Sequence, residues 1–368
     1  MYSMNKKLRI GTLFSGIGAA EFALKRLGIP HEIVFACDNG ELSLKGDDEV
    51  IKTELAKLNT VKERKAYLNS LLPKKVNFVR QSYLANYDMD ESDFHHDVRF
   101  MDATEYKGKV DLLVGGSPCQ SFTLLGYQKG LEEARGTLFY EFARIVNEVQ
   151  PKVFIYENVQ GLTKHDRGRT WEVVQRVFQS LDYHIHYKIL DAVEQGIPQK
   201  RRRIFVVGFK ETVTNFEFPE PQPLKYTMQD FLQDNVAFGG FTSKGAALQL
   251  KKGGELVDEK YFLSEKILPG IMSSGTGGFY MTPEIDLPIA RPLMSSMHKM
   301  HRAGEDNYVT TNGRIRKLTP RECLRLMGFT DDFKQVVSDT QMYRQAGNSI
   351  VVDVFVNLIP KILKAIGE

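Results

Sequence analysis

The chain has 368 residues, 42% of them hydrophobic, and a formal net charge of +3. Such a chain can build one large domain and a smaller one, each with its own core. No apolar run approaches the ~18 residues of a membrane span, and Met1–Arg9 lacks the apolar region of a signal peptide, so we expect a cytoplasmic protein without membrane contact. Cys37, Cys119 and Cys323 are far apart and form no CxxC pair, which argues against a disulfide framework or a metal site.

From Leu8 to about Gly208 the hydrophobic pattern alternates between strands and helices. The predicted strands are Leu8–Phe14, Glu32–Cys37, Val98–Met101, Asp111–Val114, Val153–Tyr156 and Arg203–Gly208. The predicted helices are Gly18–Leu27, Thr137–Val149 and Thr170–Leu181. This alternation is typical of an α/β fold with a parallel, doubly wound, Rossmann-like sheet.

One stretch interrupts this rhythm between Glu41 and Asp97. It is rich in lysine and glutamate, and its leucines have the spacing of one or two amphipathic helices. We interpret it as a helical insertion, about 41–97, that decorates the surface of the first domain.

The composition changes after residue 216, where prolines, glycines and polar residues increase. We therefore predict a first domain over 1–216, a smaller irregular domain over 217–317, and a segment over 318–368 that returns to the first domain. Thr319, Pro320 and Glu322 have the pattern of a capped helix start, and an amphipathic helix is predicted from about Ile350 to Ile366.

The basic residues are concentrated more than the net charge suggests. They form two dense groups, Lys200-Arg201-Arg202-Arg203 and Arg314, Arg316, Lys317, Arg321 and Arg325. A solvated face and a contact with nucleic acid are both open interpretations of such groups.

Polar and glycine residues mark the ends of the first three predicted strands. The loop after the first strand is Phe14-Ser15-Gly16-Ile17-Gly18, in which small residues let the backbone approach a ligand. Asp38 and Asn39 follow the second strand, where an acid can bind a ribose diol. Asp102 and Ala103 follow the third, where a carboxylate can accept from an adenine amino group. The pattern predicts an adenosyl ligand but does not separate a dinucleotide from S-adenosylmethionine.

The segment Gly115-Gly116-Ser117-Pro118-Cys119-Gln120 follows an apolar strand and predicts a stiff loop with a thiol at its tip. Ligands bind at such strand ends in open α/β sheets, and a nucleophile there is well placed to attack a substrate. A small buried cysteine in a turn is the alternative interpretation.

The hexapeptide resembles the catalytic loop of the cytosine-5 DNA methyltransferases. The chain has further motifs of this family in the same order: Phe14-x-Gly16-x-Gly18, Glu157-Asn158-Val159, Gln199-x-Arg201-x-Arg203 and Gln345-Ala346-Gly347-Asn348-Ser349. Ala19 stands where a further glycine is common, and Asp38 stands where Glu is more usual. The resemblance runs from about Leu8 to the C-terminus, excluding 41–97 and most of 217–314.

This resemblance implies S-adenosylmethionine as cofactor and a cytosine in double-stranded DNA as substrate. It implies that Cys119 attacks C6 of the cytosine, that Glu157 binds the N3/N4 edge, that Arg203 reaches O2, and that Arg201 supports the active-site loop or a phosphate. The expected cofactor contacts are Phe14, Ser15, Gly16, Ile17, Gly18, Asp38, Asn39, Asp102, Ala103, Ser117, Pro118, Leu138, Asn348 and Ser349. The expected substrate contacts are Gln120, Ser121, Asn158, Gln199, Arg202 and Arg291.

A duplex cytosine must be flipped out of the helix before a thiol can reach it, and the cleft between the two predicted domains is the natural place. The irregular domain would then read the bases. We expect a monomer without metal, from a restriction-modification system with a cognate endonuclease or from a phage. Methylation of tRNA and an inactive DNA-binding homologue are the alternatives.

Overall fold

The computed structural model describes residues 7–118, 138–275, 278 and 280–367. Eleven strands are present in this part of the chain: β1 (Leu8–Leu13), β2 (His31–Cys37), β3 (Phe94–His95), β4 (Leu112–Gly115), β5 (Val153–Val159), β6 (His184–Asp191), β7 (Arg202–Phe209), β8 (Phe241–Lys244), β9 (Ala247–Leu250), β10 (Tyr308–Thr311) and β11 (Arg314–Lys317). The α-helices among the same residues are α1 (Ala19–Leu27), α2 (Asp48–Ala56), α3 (Val61–Ser70), α4 (Phe78–Asn86), α5 (Leu138–Val149), α6 (Arg169–Ser180), α7 (Leu268–Ile271), α8 (Pro320–Leu326), α9 (Asp339–Asn348) and α10 (Val352–Ala365).

Seven of these strands form one sheet in the order β3-β2-β1-β4-β5-β7-β6. The neighbours from β3 to β5 are parallel, whereas β7 is antiparallel to both β5 and β6. Both faces of the sheet are buried, because alternate residues enter two different core clusters: Val114 and Ile155 in one, Leu113 and Phe154 in the other. The predicted α/β, doubly wound fold is confirmed, with a sheet that is mostly rather than wholly parallel.

The third strand was predicted in the wrong place. Residues Val98–Phe100 form a 3-10 turn, and the third strand is Phe94–His95, which pairs with the end of β2. Asp97 begins the turn by accepting from the Arg99 amide. The carbonyls of Val98 and Met101 accept from the Arg144 guanidinium instead of from a neighbouring strand. Asp102 therefore follows a turn, not a strand.

Strand β6 was not predicted at all. It lies at the edge of the sheet, and most of its side chains are partly or fully exposed, so its sequence lacks a continuous apolar run.

The helical insertion contains α2, α3 and α4. Helix α3 has no buried residue, and α2 buries only Ile51, as expected for a surface element. Helix α4 is different, because Ser82 donates to Gln345 in α9 and Tyr83 donates to Glu21 in α1. The interpretation of a surface decoration thus describes α2 and α3 but not α4.

The segment 217–317 contains the hairpins β8–β9 and β10–β11, together with short helices and irregular chain. Phe231, Val236 and Phe241 belong to the same core cluster as Leu324 and Phe355 of the C-terminal helices. The boundary between two domains at residue 217 stays a prediction.

Helix α10 packs against α1, whereas the assignment of 318–368 to the first domain stays a prediction. The predicted cap of α8 is confirmed: Thr319 accepts from the Glu322 amide and Glu322 accepts from the Thr319 amide, with Pro320 in the first turn.

Within the described residues, Asp339–Ala365 is long and apolar enough to cross a membrane by length and composition alone. Its most apolar window is 72% buried inside the protein, which is typical of core helices too.

A buried arginine of α8 connects the C-terminal segment to the segment 217–317. Arg325 is fully buried and pairs with Asp331 at 2.8 Å, while its guanidinium also donates to the carbonyls of Phe231, Val236 and Ala237. Replacing it leaves a buried carboxylate and three carbonyls without these donors.

We therefore expect Arg325→Met to lower the free energy of unfolding by about 3–5 kcal/mol, measured by urea denaturation. The matched control is Arg314→Met, which removes an exposed pair with Glu259 and should change the transition little. Equal shifts for the two variants would contradict this interpretation.

Candidate active site

A cleft opens at the carboxyl ends of β1, β4 and β5. It encloses about 450 Å³, including the space open to solvent. Its walls are formed by Thr12, Leu13, Phe14, Ser15, Gly16, Ala19, Ala20, Glu21, Val114, Gly115, Gly116, Glu157, Asn348, Ser349, Ile350 and Phe355. The structure thus brings together six of the predicted site residues, from three separate motifs: Phe14, Ser15, Gly16, Glu157, Asn348 and Ser349.

The loop between β1 and α1 is held by hydrogen bonds to the end of β2 and to the insertion. The Ser15 amide donates to the Cys37 carbonyl, and the Cys37 amide donates to the Ser15 hydroxyl. Gly18 has a left-handed φ of 75°, and a Cβ there would lie 2.3 Å from the Tyr87 ring. The Tyr87 hydroxyl donates to the carbonyls of Ile17 and Gly18. Only glycine fits at position 18, for both conformational and steric reasons.

Asp38 connects this loop to the end of β2. Its carboxylate accepts from the amides of Gly16 at 2.9 Å and Gly40 at 2.8 Å. Burial raises the pKa of Asp38 above its ordinary value, although these two hydrogen bonds act in the opposite direction. Asn39 lies beside it and accepts from the Glu41 amide.

Asp102 and Ala103 do not line the cleft. The Asp102 carboxylate accepts from the amide and hydroxyl of Thr104 and forms an ion pair with Arg64 of α3. Ala103 is fully buried, and its amide donates to Glu148. Leu138, at the start of α5, packs against the core cluster on the α5 and α6 face of the sheet. The cofactor contacts expected of these three residues stay predictions.

The chain after β4 is fixed by the neighbouring strand β5. The Ser117 hydroxyl lies 2.7 Å from the Tyr156 hydroxyl, and Asn158 donates to both the Ser117 carbonyl and the Tyr156 hydroxyl. Pro118 is exposed at the end of this described segment. Tyr156 was missed by the sequence analysis, because within an apolar strand its hydroxyl gives no separate signal. Cys119, Gln120 and Ser121 lie outside the described residues.

Glu157 occupies the space that Gly116 leaves. A Cβ on Gly116 would lie 2.6 Å from the Glu157 carboxylate and 3.0 Å from its carbonyl. On its other side, the Glu157 carboxylate forms an ion pair with Arg203 at 3.2 Å. Burial raises the pKa of Glu157 above its ordinary value, and the charges of Arg203 and Arg201 partly offset this.

Arg201 is buried and donates to the carbonyls of Leu293, Gly347 and Ser349. Burial, together with repulsion from Arg203, lowers its pKa to about 9, so it is still a cation at neutral pH. It therefore fixes the chain beside Asn348 and contributes positive charge near Glu157.

The remaining predicted substrate residues occupy different environments. Gln199 is fully buried, and its amide group donates to the Leu326 carbonyl and accepts from the Leu293 amide. Arg291 pairs with Glu284, whereas Arg202 is largely exposed at the start of β7. Contacts of these residues with a substrate stay predictions.

Cys37 and Cys323 are free, buried thiols. Burial raises the pKa of both well above the ordinary value, which keeps them unreactive. Within the described ranges, no group of three or more histidine, cysteine or acidic side chains is arranged to hold a metal ion.

The sequence model of the C-5 cytosine-specific DNA methylases matches residues 74–364. The chain belongs to this family. Strand β1, the glycine loop after it and Asp38 all precede residue 74, so the match does not include them. Their interpretation depends on the geometry described above.

Curated relatives are similar over most of the chain. The Type II methyltransferase M.HhaI of Haemophilus parahaemolyticus is 38% identical over 248 residues, which cover 66% of this chain and 73% of that protein. The Type II methyltransferase M1.ScrFI of Lactococcus lactis subsp. cremoris is 34% identical over 298 residues, covering 78% and 70%. The orphan methyltransferase M.SPRI of Bacillus phage SPR is 27% identical, covering 97% and 98%.

Solved structures support the methyltransferase fold. The Dnmt2 methyltransferase of S. pombe has a TM-score of 0.68 at 20% identity and covers 98% of this chain and 100% of its own. A putative DNA modification methyltransferase encoded within an E. coli prophage has a TM-score of 0.60 at 19% identity, covering 98% and 100%.

The close approach of Gly116 and Glu157 gives a direct test of this methylase site. Gly116 lacks a left-handed φ, so alanine suits its backbone but forces Glu157 to move. We expect Gly116→Ala to lower methyl transfer to DNA on the order of a hundredfold, since small misplacements at a reacting centre have effects of this size. The measurement is incorporation of a labelled methyl group, with circular dichroism to verify folding.

The control is Gly270→Ala, because a Cβ at position 270 meets no atom within 4 Å. It should leave methyl transfer unchanged. Wild-type activity in Gly116→Ala would show that the position of Glu157 does not matter for the reaction.

Proposed function

We propose that this chain transfers a methyl group from S-adenosylmethionine to C5 of a cytosine flipped out of duplex DNA, through a covalent Cys119–C6 adduct. The arrangement of Glu157 between Gly116 and Arg203, at the rim of the cleft, carries the proposal. An acid and a guanidinium thus lie side by side next to Gly116, which comes three residues before Cys119 in the chain, and a pyrimidine ring under attack needs both groups.

The cleft fits the methionine half of the cofactor. Gly16, Gly115 and Gly116 contribute backbone without side chains to its walls, so a ligand can approach the backbone closely there. Asn348 and Ser349 supply polar groups at the rim for the methionine end. When bound, S-adenosylmethionine supplies an electrophilic methyl group.

Two further groups of residues would hold the rest of the cofactor. Asp38 would bind the ribose, with Asn39 beside it. Asp102 would accept from the adenine amino group. Ile17, Gly18, Ala103, Ser117, Pro118 and Leu138 complete the proposed neighbourhood of the cofactor.

The protein groups have complementary tasks in the reaction. The Cys119 thiolate adds to C6, and electron density then moves through the ring toward C5, N3 and O2. Glu157, which burial keeps more readily protonated, donates to N3, and Arg203 stabilises charge at O2. Arg201 fixes the surrounding chain. C5 takes the methyl group as the methyl–sulfur bond breaks, which leaves S-adenosylhomocysteine. Loss of the C5 proton to water then breaks the C6–sulfur bond and releases the Cys119 thiolate.

The substrate and the biological setting follow from the family and its relatives. Double-stranded DNA is the proposed partner, and flipping costs a few kcal/mol of stacking and pairing. Gln120, Ser121, Asn158, Gln199, Arg202 and Arg291 are the proposed substrate contacts. The Type II relatives support a cytoplasmic role in restriction-modification beside a cognate endonuclease, and the phage relative supports an orphan enzyme. We expect a monomer.

Cys119→Ser tests the nucleophile. We expect methyl transfer to fall roughly 10³-fold or more, because loss of a nucleophile removes the covalent route, while S-adenosylmethionine binding survives. The measurement is label transfer, with binding followed by calorimetry. Cys323→Ser, which alters a buried thiol in α8, should retain activity.

The label should be offered with duplex DNA and with tRNA in parallel. Full activity of Cys119→Ser, or label in tRNA alone, would overturn the proposal.

The pKa of Glu157 predicts the pH dependence of the reaction. If its protonated form donates to N3, the rate of methyl transfer falls as pH rises through the Glu157 pKa. Arg203 lowers that pKa, so Arg203→Gln should raise it and move the falling part of the profile to higher pH.

Single-turnover rates measured against pH check this expectation. Arg202→Gln, which removes an exposed guanidinium next in the chain, should not shift the profile. In the pH–rate profile of Arg203→Gln, the decline in rate should lie at higher pH than in the wild type. A decline at the same or a lower pH would contradict the role of Glu157 as a proton donor.

A further inference from the structure

Helix α3 lies against the segment that follows β3, although it belongs to the part of the chain before the family match begins. It has no buried residue, and two adjacent cations connect it to the chain on both sides of β3. Arg64 pairs with Asp102, and Lys65 pairs with Glu105 at 3.0 Å and with Asp93 at 3.2 Å.

The Arg64 side chain is fixed at both ends of its guanidinium. Its Nε and Nη2 donate to the Leu58 carbonyl at 3.2 and 3.1 Å, and its Nη1 donates to Asp102 Oδ2. The contact with Leu58 restrains the rotamer, so the guanidinium holds its position beside Asp102 instead of extending into solvent.

The Asp102 carboxylate is thereby oriented by three donors. Its Oδ1 accepts from the Thr104 amide at 3.1 Å and from the Thr104 hydroxyl at 2.6 Å, while Oδ2 faces Arg64. A carboxylate has about four acceptor positions, so one remains for a ligand. Burial acts to raise the pKa of Asp102, but the Thr104 hydrogen bonds and the Arg64 charge lower it below its ordinary value.

We propose that Arg64 is a positioning residue of the cofactor site, which orients the Asp102 carboxylate to accept from the adenine amino group. This inference rests on the proposed function, because it assigns Asp102 to the adenine. It gives the inserted helix α3 a part in cofactor binding that a surface decoration would not have.

The test measures the affinity of S-adenosylhomocysteine for the full chain by calorimetry. We expect Arg64→Gln to weaken binding roughly tenfold, the size expected for loss of a charge-assisted contact that is partly exposed. Arg64→Lys should recover part of the loss. Lys62→Gln, which removes an exposed cation from the same helix, should bind like the wild type.

A second ligand separates positioning from general stability. S-inosylhomocysteine has a carbonyl oxygen in place of the adenine amino group, so this position accepts and can no longer donate to Asp102. We expect Arg64→Gln to have little effect on its binding. On an Asp102→Asn background, Arg64→Gln should weaken S-adenosylhomocysteine binding no further.

Equal weakening of both ligands, additive losses in the double variant, or wild-type affinity in Arg64→Gln would overturn the positioning role. A wild-type protein that binds neither ligand would overturn the proposed function itself. The two failures are therefore distinguishable.

Discussion

The site depends on the reversed direction of β7. In its antiparallel register with β5, Arg203 pairs with Val159, which places its side chain diagonally opposite Glu157. The start of β7 therefore lies at the carboxyl edge of the sheet, where β4 and β5 end. A parallel strand at this position would begin at the opposite edge and carry its arginines away from the cleft. Gly116 completes the arrangement from β4, because the missing side chain leaves room for the Glu157 carboxylate.

The six predicted residues that line the cleft could be found from the sequence because each belongs to a short local motif. The glycine loop, Glu157 and the cap of α8 depend on a few neighbouring residues with clear conformational preferences. The direction of β7 and the existence of β6 depend on pairing between distant strands, which no local pattern specifies. The same reason explains the error at Val98–Phe100, where Arg144 of α5 binds the carbonyls that a strand would have used.

The insertion shows how an element rich in charge can be misjudged. Its sequence reveals amphipathic helices but not their partners. Tyr87 donates to the carbonyls of the glycine loop, and Asn77 donates to the Asp38 carbonyl. Glu41 forms an ion pair with Arg344 and accepts from Asn348 at the rim of the cleft. These are single polar contacts between segments far apart in the chain, so composition gives no sign of them.

The two basic groups of the sequence contain both buried and exposed cations. A solvated face or a contact with nucleic acid does not describe the buried ones. Arg316 and Arg325 are fully buried, and Arg201 nearly so, and each is bonded to an acidic group or to backbone carbonyls from a distant segment. Buried ion pairs add little net stability, but they favour one arrangement of the segments they join, since any other leaves the charge unpaired. Lysine could not replace these arginines, because one ammonium cannot span a carboxylate and several carbonyls in a fixed plane. The exposed cations of these groups, such as Lys200 and Arg202, are therefore the ones that we propose to contact DNA phosphates.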